Sequence, residues 1–266
     1  MVEKANPVVF IHGLWLHATS WEPWQEVFGA SGYQTVAPGW PGDADTVDET
    51  RAKVDDEADR GLDEITEHYA TVIDALPTPP ILVGHSFGGL VAEKLLGQGR
   101  GAAAVAIDAA QMKGVLVLPL AAARTGFPVL RNPKNKHRAI TLSPKQFQYS
   151  FANTLSEEES EMLYDRWTIP GPGRPLFEAA FAAFSRHSPD EVDTGNVDRG
   201  PLLLIAGGED HTVPEAVTKS SLKQYKDSTA VTDFMEFPDR GHSLTIDHGW
   251  HDIADASLAW LGKQGL

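Results

Sequence analysis

Three side chains that lie far apart in the chain, each just beyond an apolar run, could together carry out acyl transfer: Ser86, Asp210 and His242. A serine hydroxyl is a weak nucleophile at its ordinary pKa. It needs a base within hydrogen-bond reach and a carboxylate that orients the base. Ser86 lies in Gly84-His85-Ser86-Phe87-Gly88, a G-x-S-x-G turn with Gly89 following. Glycines on either side of a serine let a strand and a helix approach closely, and they hold the hydroxyl on a strained turn projecting into a cleft. Asp210 follows the run Leu202 to Ala206 after two glycines, and His242 follows Asp233 to Phe237 after Gly241.

The elements that must position these groups are readable from apolar periodicity. Ile81, Leu82 and Val83, preceded by Pro79 and Pro80, form a short buried strand, and an apolar face returns at helical spacing from Leu90 to Leu96. The strand therefore turns into a helix at Ser86. Val8 to Ile11 is a continuous apolar run of the kind covered on both faces in a parallel sheet. It ends in His12-Gly13-Leu14-Trp15, where Gly13 frees the backbone so that successive amides can face a cleft and hold a developing anion. His12 reads as structural. Ala103 to Ile107 is another buried strand, closed by Asp108. A parallel sheet built from these strands sets the acid and the histidine beside Ser86 along one edge.

Between the strands, Ser20 reads as the N-cap of a helix burying Trp21, Trp24, Val27 and Phe28; Gly32 stops it and Tyr33 to Ala37 gives a strand. Acidic residues from Asp43 to Asp59 fit no ligand loop and read as a solvated face. Leu62, Ile65, Tyr69, Val72, Ile73 and Leu76 mark a long amphipathic helix, and Ile253, Leu258, Trp260 and Leu261 mark a terminal one. The stretch Gln111 to Arg199 breaks the strand-helix rhythm. Within it, Ser156 with Glu159 forms a capping box opening a helix towards Trp167, Leu176 to Phe184 reads as another, and Pro170-Gly171-Pro172-Gly173 as a hinge or turn.

With 266 residues and 42 % hydrophobic content the chain can bury a sizeable core. A formal charge of -15 and a pI near 5.0 argue against non-specific roles on nucleic acid or anionic membrane surfaces. Absence of cysteine excludes disulfides, thiolate catalysis and cysteine metal sites. Met1 to Pro7 lead straight into a core strand, and no run of eighteen apolar residues occurs, so the expectation is a cytoplasmic protein without membrane insertion.

On these motifs the chain resembles the serine hydrolases of the α/β-hydrolase fold, esterase-like and lipase-like with a helical lid, along nearly its whole length. It matches at His12-Gly13, at the elbow on Ser86, at the acid turn on Asp210 and at the histidine turn on His242, in the serine, acid, histidine order of that fold. The resemblance implies an α/β protein whose mostly parallel central sheet is flanked by helices. Residues 1–110 and 200–266 would form the core and 111–199 a helical cap. It further implies that Ser86 attacks an acyl carbon, His242 relays the proton and Asp210 orients the imidazole. Backbone amides of Leu14 and Phe87 would hold the oxyanion, each such donor typically lowering the barrier by ~2.7 to 4 kcal/mol. No cofactor and no metal are implied.

Asp108 is the alternative acid, since some members of the fold carry it after that strand. Glu209 reads as exposed, His85 as a packing residue pointing away from Ser86, and His211 as a turn residue. His248 and His251 lack flanking carboxylates in a zinc pattern. Trp15, Met112, Phe127, Phe147, Trp167 and Phe181 could form an apolar pocket under the lid. The expected activity is cleavage of small to medium apolar carboxylic esters, or lactones, through an acyl-enzyme. Cofactor-free perhydrolases or haloperoxidases, carbon-carbon bond hydrolases and non-catalytic receptors of the same fold are the alternatives. Hydroxynitrile lyases carry threonine and lysine where this chain has Gly13 and Ser243.

Overall fold

Six strands form a single sheet in the order β2-β1-β3-β4-β7-β8, every neighbouring pair parallel. They are β1 (Val8–Ile11), β2 (Thr35–Val36), β3 (Ile81–His85), β4 (Ala103–Ile107), β7 (Leu202–Gly207) and β8 (Thr232–Phe237). This is the predicted α/β architecture, seen in a computed structural model that describes residues 4–182 and 185–266. Met1 and the expected helix end at Phe184 lie outside the described residues. Because the strands run the same way, all their carboxyl ends share one edge. The register aligns Ile11 with Gly84, His85 with Ile107 and Ile107 with Ile205, so the turns after β1, β3, β4 and β7 emerge side by side. The chain passes from β1 to β2 on one side and returns to β3 on the other, and such a switch point opens a crevice at the carboxyl ends.

Strand alternation sends Val9 and Ile11 to one face of the sheet and Val8 and Phe10 to the other. The first face is covered by α3 (Leu62–Asp74), α4 (Phe87–Gly97) and α9 (Glu215–Gln224), through Leu62, Ile65, Tyr69, Leu90, Leu95 and Val217. The second is covered by α1 (Glu22–Ala30) and α10 (Trp250–Lys263), through Trp24, Phe28, Ile253 and Leu261. Each fully buried side chain of this size contributes roughly 1.5–3 kcal/mol, so the core is sufficient to fix the strand ends. Ser20 does not cap α1. A 3-10 turn, Ala18–Trp21, precedes the helix and is capped by the His17 ring, which accepts from the Thr19 amide. No helix among the described residues is long and apolar enough to cross a membrane.

After the short helix α2 (Val47–Ala52), the remaining elements lie between β4 and β7. They are α5 (Leu120–Leu130), β5 (Ala139–Ile140), α6 (Pro144–Ser150), α7 (Glu157–Trp167), β6 (Gly171–Pro172) and α8 (Arg174–Phe181). The Pro170 to Gly173 stretch is no hinge. β6 is buried and pairs with β5 in a two-stranded antiparallel ribbon. Only half of the expected capping box at α7 forms: Ser156 accepts from the Glu159 amide, whereas the Glu159 carboxylate accepts from the backbone amide of His248. The reciprocal box sits instead at α6, between Ser143 and Gln146.

Candidate active site

The turn after β3 holds Ser86 at φ 56, ψ -123, a conformation that costs a non-glycine residue roughly 1–3 kcal/mol and persists only where its surroundings impose it. The surroundings here are glycines. A Cβ on Gly84 would overlap the Gly88 carbonyl, and one on Gly88 would overlap the backbone of Ile11. Only this sequence lets α4 start so close to β1 and β3. Gly13 is constrained by the serine itself, since a Cβ there would stand 2.8 Å from the Ser86 Cβ.

The turns after β7 and β8 bring two further groups to Ser86. His242 Nε2 lies 3.0 Å from Ser86 Oγ, and His242 Nδ1 lies 2.6 Å from Asp210 Oδ2. All three residues are buried. A carboxylate can only accept, so Nδ1 carries the proton and Nε2 turns a lone pair to the hydroxyl. Asp210 is itself fixed: its Oδ1 accepts from the amides of Thr212, at 2.6 Å, and Val213, at 2.9 Å. The amides of Leu14 and Phe87 make no hydrogen bond with another described residue. They sit at the ends of β1 and β3, beside the serine, and Trp15 at φ 71 bends the first of these turns.

The sequence matches the profile of the alpha/beta hydrolase family over residues 8–256. The chain belongs to that family. Its structure is similar to a monoacylglycerol lipase from Paleococcus ferrophilus, with a TM-score of 0.68 and 19% identity, covering 97% of this chain and 96% of that one. An extracellular α/β-hydrolase from a Paenibacillus species has a TM-score of 0.68 and 21% identity, with 96% and 98% coverage. A methylesterase from Arabidopsis has a TM-score of 0.65 and 14% identity, with 97% and 99% coverage. At these identities the likeness is one of fold. No curated protein sequence matches the chain.

Within this α/β-hydrolase frame, Asp108 neighbours Asp210. Its Oδ2 is 3.9 Å from His242 Nδ1, against 2.6 Å for Asp210, and its Oδ1 accepts from the Gly207 amide at 2.7 Å. Complete burial, and then the neighbouring Asp210 carboxylate, push the Asp108 carboxyl well above its ordinary range. Burial therefore disfavours the charged form of Asp108, and of the two carboxyls it is Asp210 that contacts His242 directly.

His85 is more than packing. Its Nε2–H donates to the His242 carbonyl at 2.9 Å, and its ring centroid lies 4.6 Å from that of His242. Burial, and next the proximity of His242, hold its pKa well below the ordinary value, so it supports the His242 imidazole as a neutral ring. Phe151 gave no signal in the sequence. It sets its ring edge-on to His242 at 4.7 Å, stacks on Phe147 at 5.1 Å, and its carbonyl accepts from the Ser243 amide. The same stretch reaches the acid turn, where Thr212 donates to the Ser150 carbonyl and Asn153 to that of Glu209.

Of the six residues expected to line an apolar pocket, Trp15, Met112, Phe147 and Trp167 are buried, whereas Phe127 and Phe181 are 63% and 58% exposed. The last two sit on outward faces of α5 and α8, which amphipathic spacing alone could not orient. His248 is occupied by Glu159, and His211 Nδ1 by the Tyr149 carbonyl.

Asp43 and Glu57 correct the reading of a solvated acidic face. Glu57 and the side chain of Asp43 are buried, with Asp43 Oδ2 3.0 Å from His12 Nε2 and 2.9 Å from the Trp40 amide. Burial and the adjacent Asp43 push Glu57 from 4.5 up to about 9, so it holds its proton at neutral pH and donates to Asp43. The folded protein thus keeps a proton that the unfolded chain releases. Stability is full below pH 4.5 and declines as pH rises towards about 9. Glu57→Gln keeps the donor and removes the titration, so its urea midpoint is expected to fall less than that of the wild type between pH 6 and pH 9. Equal declines would mean that Glu57 is already ionised at neutral pH.

Proposed function

We propose that the protein hydrolyses carboxylic esters of small to medium apolar substrates, lactones included, through an acyl-enzyme on Ser86. The observation that carries this reading is the unbroken relay from Ser86 Oγ to His242 Nε2, at 3.0 Å, and from His242 Nδ1 to Asp210 Oδ2, at 2.6 Å. Ser86 Oγ bonds to the acyl carbon while its proton passes to His242 Nε2. The carbonyl π pair moves onto oxygen, where the Leu14 and Phe87 amides receive it. Collapse expels the alcohol oxygen, which takes the proton from His242, and water then repeats the sequence to release the acid. Asp210 stays ionised and steadies the imidazolium.

Residues 111–199 act as a cap over the strand ends in this reading. Support comes from the contacts of residues 150–153 with the acid and histidine turns, and from Ile169, whose amide donates to the Trp15 carbonyl. Buried Trp15, Met112, Phe147 and Trp167 give the acyl or alcohol group an apolar wall. Stopped-flow turnover of a graded series of p-nitrophenyl alkanoates tests the proposal. A burst of nitrophenol equal to the enzyme concentration, followed by slower steady turnover, is expected for at least one chain length. Binding of these esters with no turnover anywhere in the series would place the protein among ligand receptors of the same fold.

A further inference from the structure

The charge of this chain is unevenly distributed. Residues 109–156 contain seven Lys or Arg and no Asp or Glu, so all 37 carboxylates and only fifteen cations lie elsewhere. Arg124, Arg131, Lys134, Lys136, Arg138 and Lys145 are exposed, and none of them forms an ion pair with a described residue. The nearby His137 is paired with Asp59. The same segment carries the most exposed large apolar side chains among the described residues. Leu120 is 90% exposed, Leu116 79% and Leu118 68%, and Phe127 projects from the same helix.

The two properties coincide on α5. Leu120, Arg124, Phe127 and Arg131 recur at intervals of four, three and four, which places them in one outward stripe, while Gly126 and Val129 face inward. Lys134 and Lys136 continue the positive charge in the turn that follows, and Leu116 and Leu118 continue the apolar surface in the loop that precedes it. Arg124 also lies over the Tyr149 ring at 4.0 Å. Exposed leucines flanked by cations that no carboxylate neutralises are what a helix lying in a lipid headgroup layer presents: the side chains enter the acyl boundary and the cations meet anionic headgroups. Overall acidity repels such a surface at long range. At contact, within a Debye length of ~10 Å at 0.1 M salt, the local charge decides.

We propose that the α5 face is a peripheral docking surface for an anionic lipid bilayer, on which the protein lies without spanning it. The placement bears on the candidate active site, because α5 packs against the acid turn: Thr125 Oγ1 donates to the carbonyl of His211, the residue after Asp210. Docking through α5 would set the rim of the site against the lipid phase. The surface does not depend on the serine chemistry, and its test reads binding alone.

Flotation of the full chain with phosphatidylcholine vesicles, with and without about 30 mol% phosphatidylglycerol, tests the proposal. Expected are binding only to the anionic vesicles, a fall of tenfold or more on raising salt from about 0.05 to about 0.3 M, and full binding by Ser86→Ala. Removing one surface cation should weaken binding about fivefold, so Arg131→Gln with Lys134→Gln and Lys136→Gln should lose roughly 100-fold. Leu118→Ser with Leu120→Ser, both exposed and outside the candidate site, should abolish flotation while circular dichroism stays unchanged. Equal binding to neutral vesicles, or binding indifferent to both sets of substitutions, would overturn the proposal. So would a dimer in sedimentation that the leucine substitutions dissolve, since the face would then belong to a second copy.

Discussion

Ser86→Ala is expected to lose the fluorophosphonate adduct that the wild-type chain forms, and to retain no more than about one part in 10⁴ of its ester turnover. The probe places its phosphorus where the acyl carbon would stand. Ser86 Oγ bonds to it, fluoride leaves, and the proton passes to His242 Nε2, 3.0 Å away. A single mass increment on the intact protein, absent in the variant, tests activation of the serine without requiring the natural substrate. The backbone at φ 56 is imposed by neighbouring segments and not by the hydroxyl, so the variant should keep its fold. A wild-type chain that takes no adduct, or a variant that takes one equally, would refute Ser86 as the nucleophile. On the proposed mechanism, residual turnover in the variant measures what substrate binding and oxyanion stabilisation contribute without the nucleophile.

The second large effect separates two carboxyls that lie within a few ångströms of one imidazole. Asp210→Asn is expected to lower kcat about 10⁴-fold with little change in stability. Oδ1 of Asp210 accepts from the Thr212 and Val213 amides, so an amide oxygen must take that place and the amide NH2 must face His242. The NH2 cannot accept from Nδ1. The imidazole then shifts its proton to Nε2 and offers Ser86 no lone pair. Asp108→Asn should leave kcat within about tenfold of wild type, because burial favours the uncharged acid at Asp108 and the amide shares its shape, donor and acceptor. The amide oxygen would accept from Gly207 as Oδ1 does now, and the NH2 would face Asp210. A pH-rate profile completes the test, since a merely structural role for Asp210 would lower stability and leave the profile in place. If Asp108→Asn proved the more damaging change, the two carboxyls would have to exchange roles.

The core strands, the elbow at Ser86 and the turns bearing Asp210 and His242 are legible in the sequence because each rests on a local rule. A buried parallel strand is a short apolar run, and the turn that follows needs glycine where backbones touch. What local rules leave open is which turn meets which. Asp108 and Asp210 both end core strands. Distances of 3.9 and 2.6 Å to His242 separate them only once the sheet is assembled. Asp43 and Glu57 sit among carboxylates that read as solvated, yet the loop after β2 folds back over β1 and buries them beside His12. Phe151 and His85 act on His242 across 91 and 157 positions of chain, and no periodicity encodes such contacts. Phe127 and Phe181 are apolar residues on amphipathic helices, and the packing of 111–199 turns them outward. The sequence by itself determined the core elements and the residues at their ends, because those follow from short-range sterics and periodicity. Only the tertiary structure decided the acid nearest the imidazole, the buttress behind it and the face left to solvent, because these depend on where long loops return.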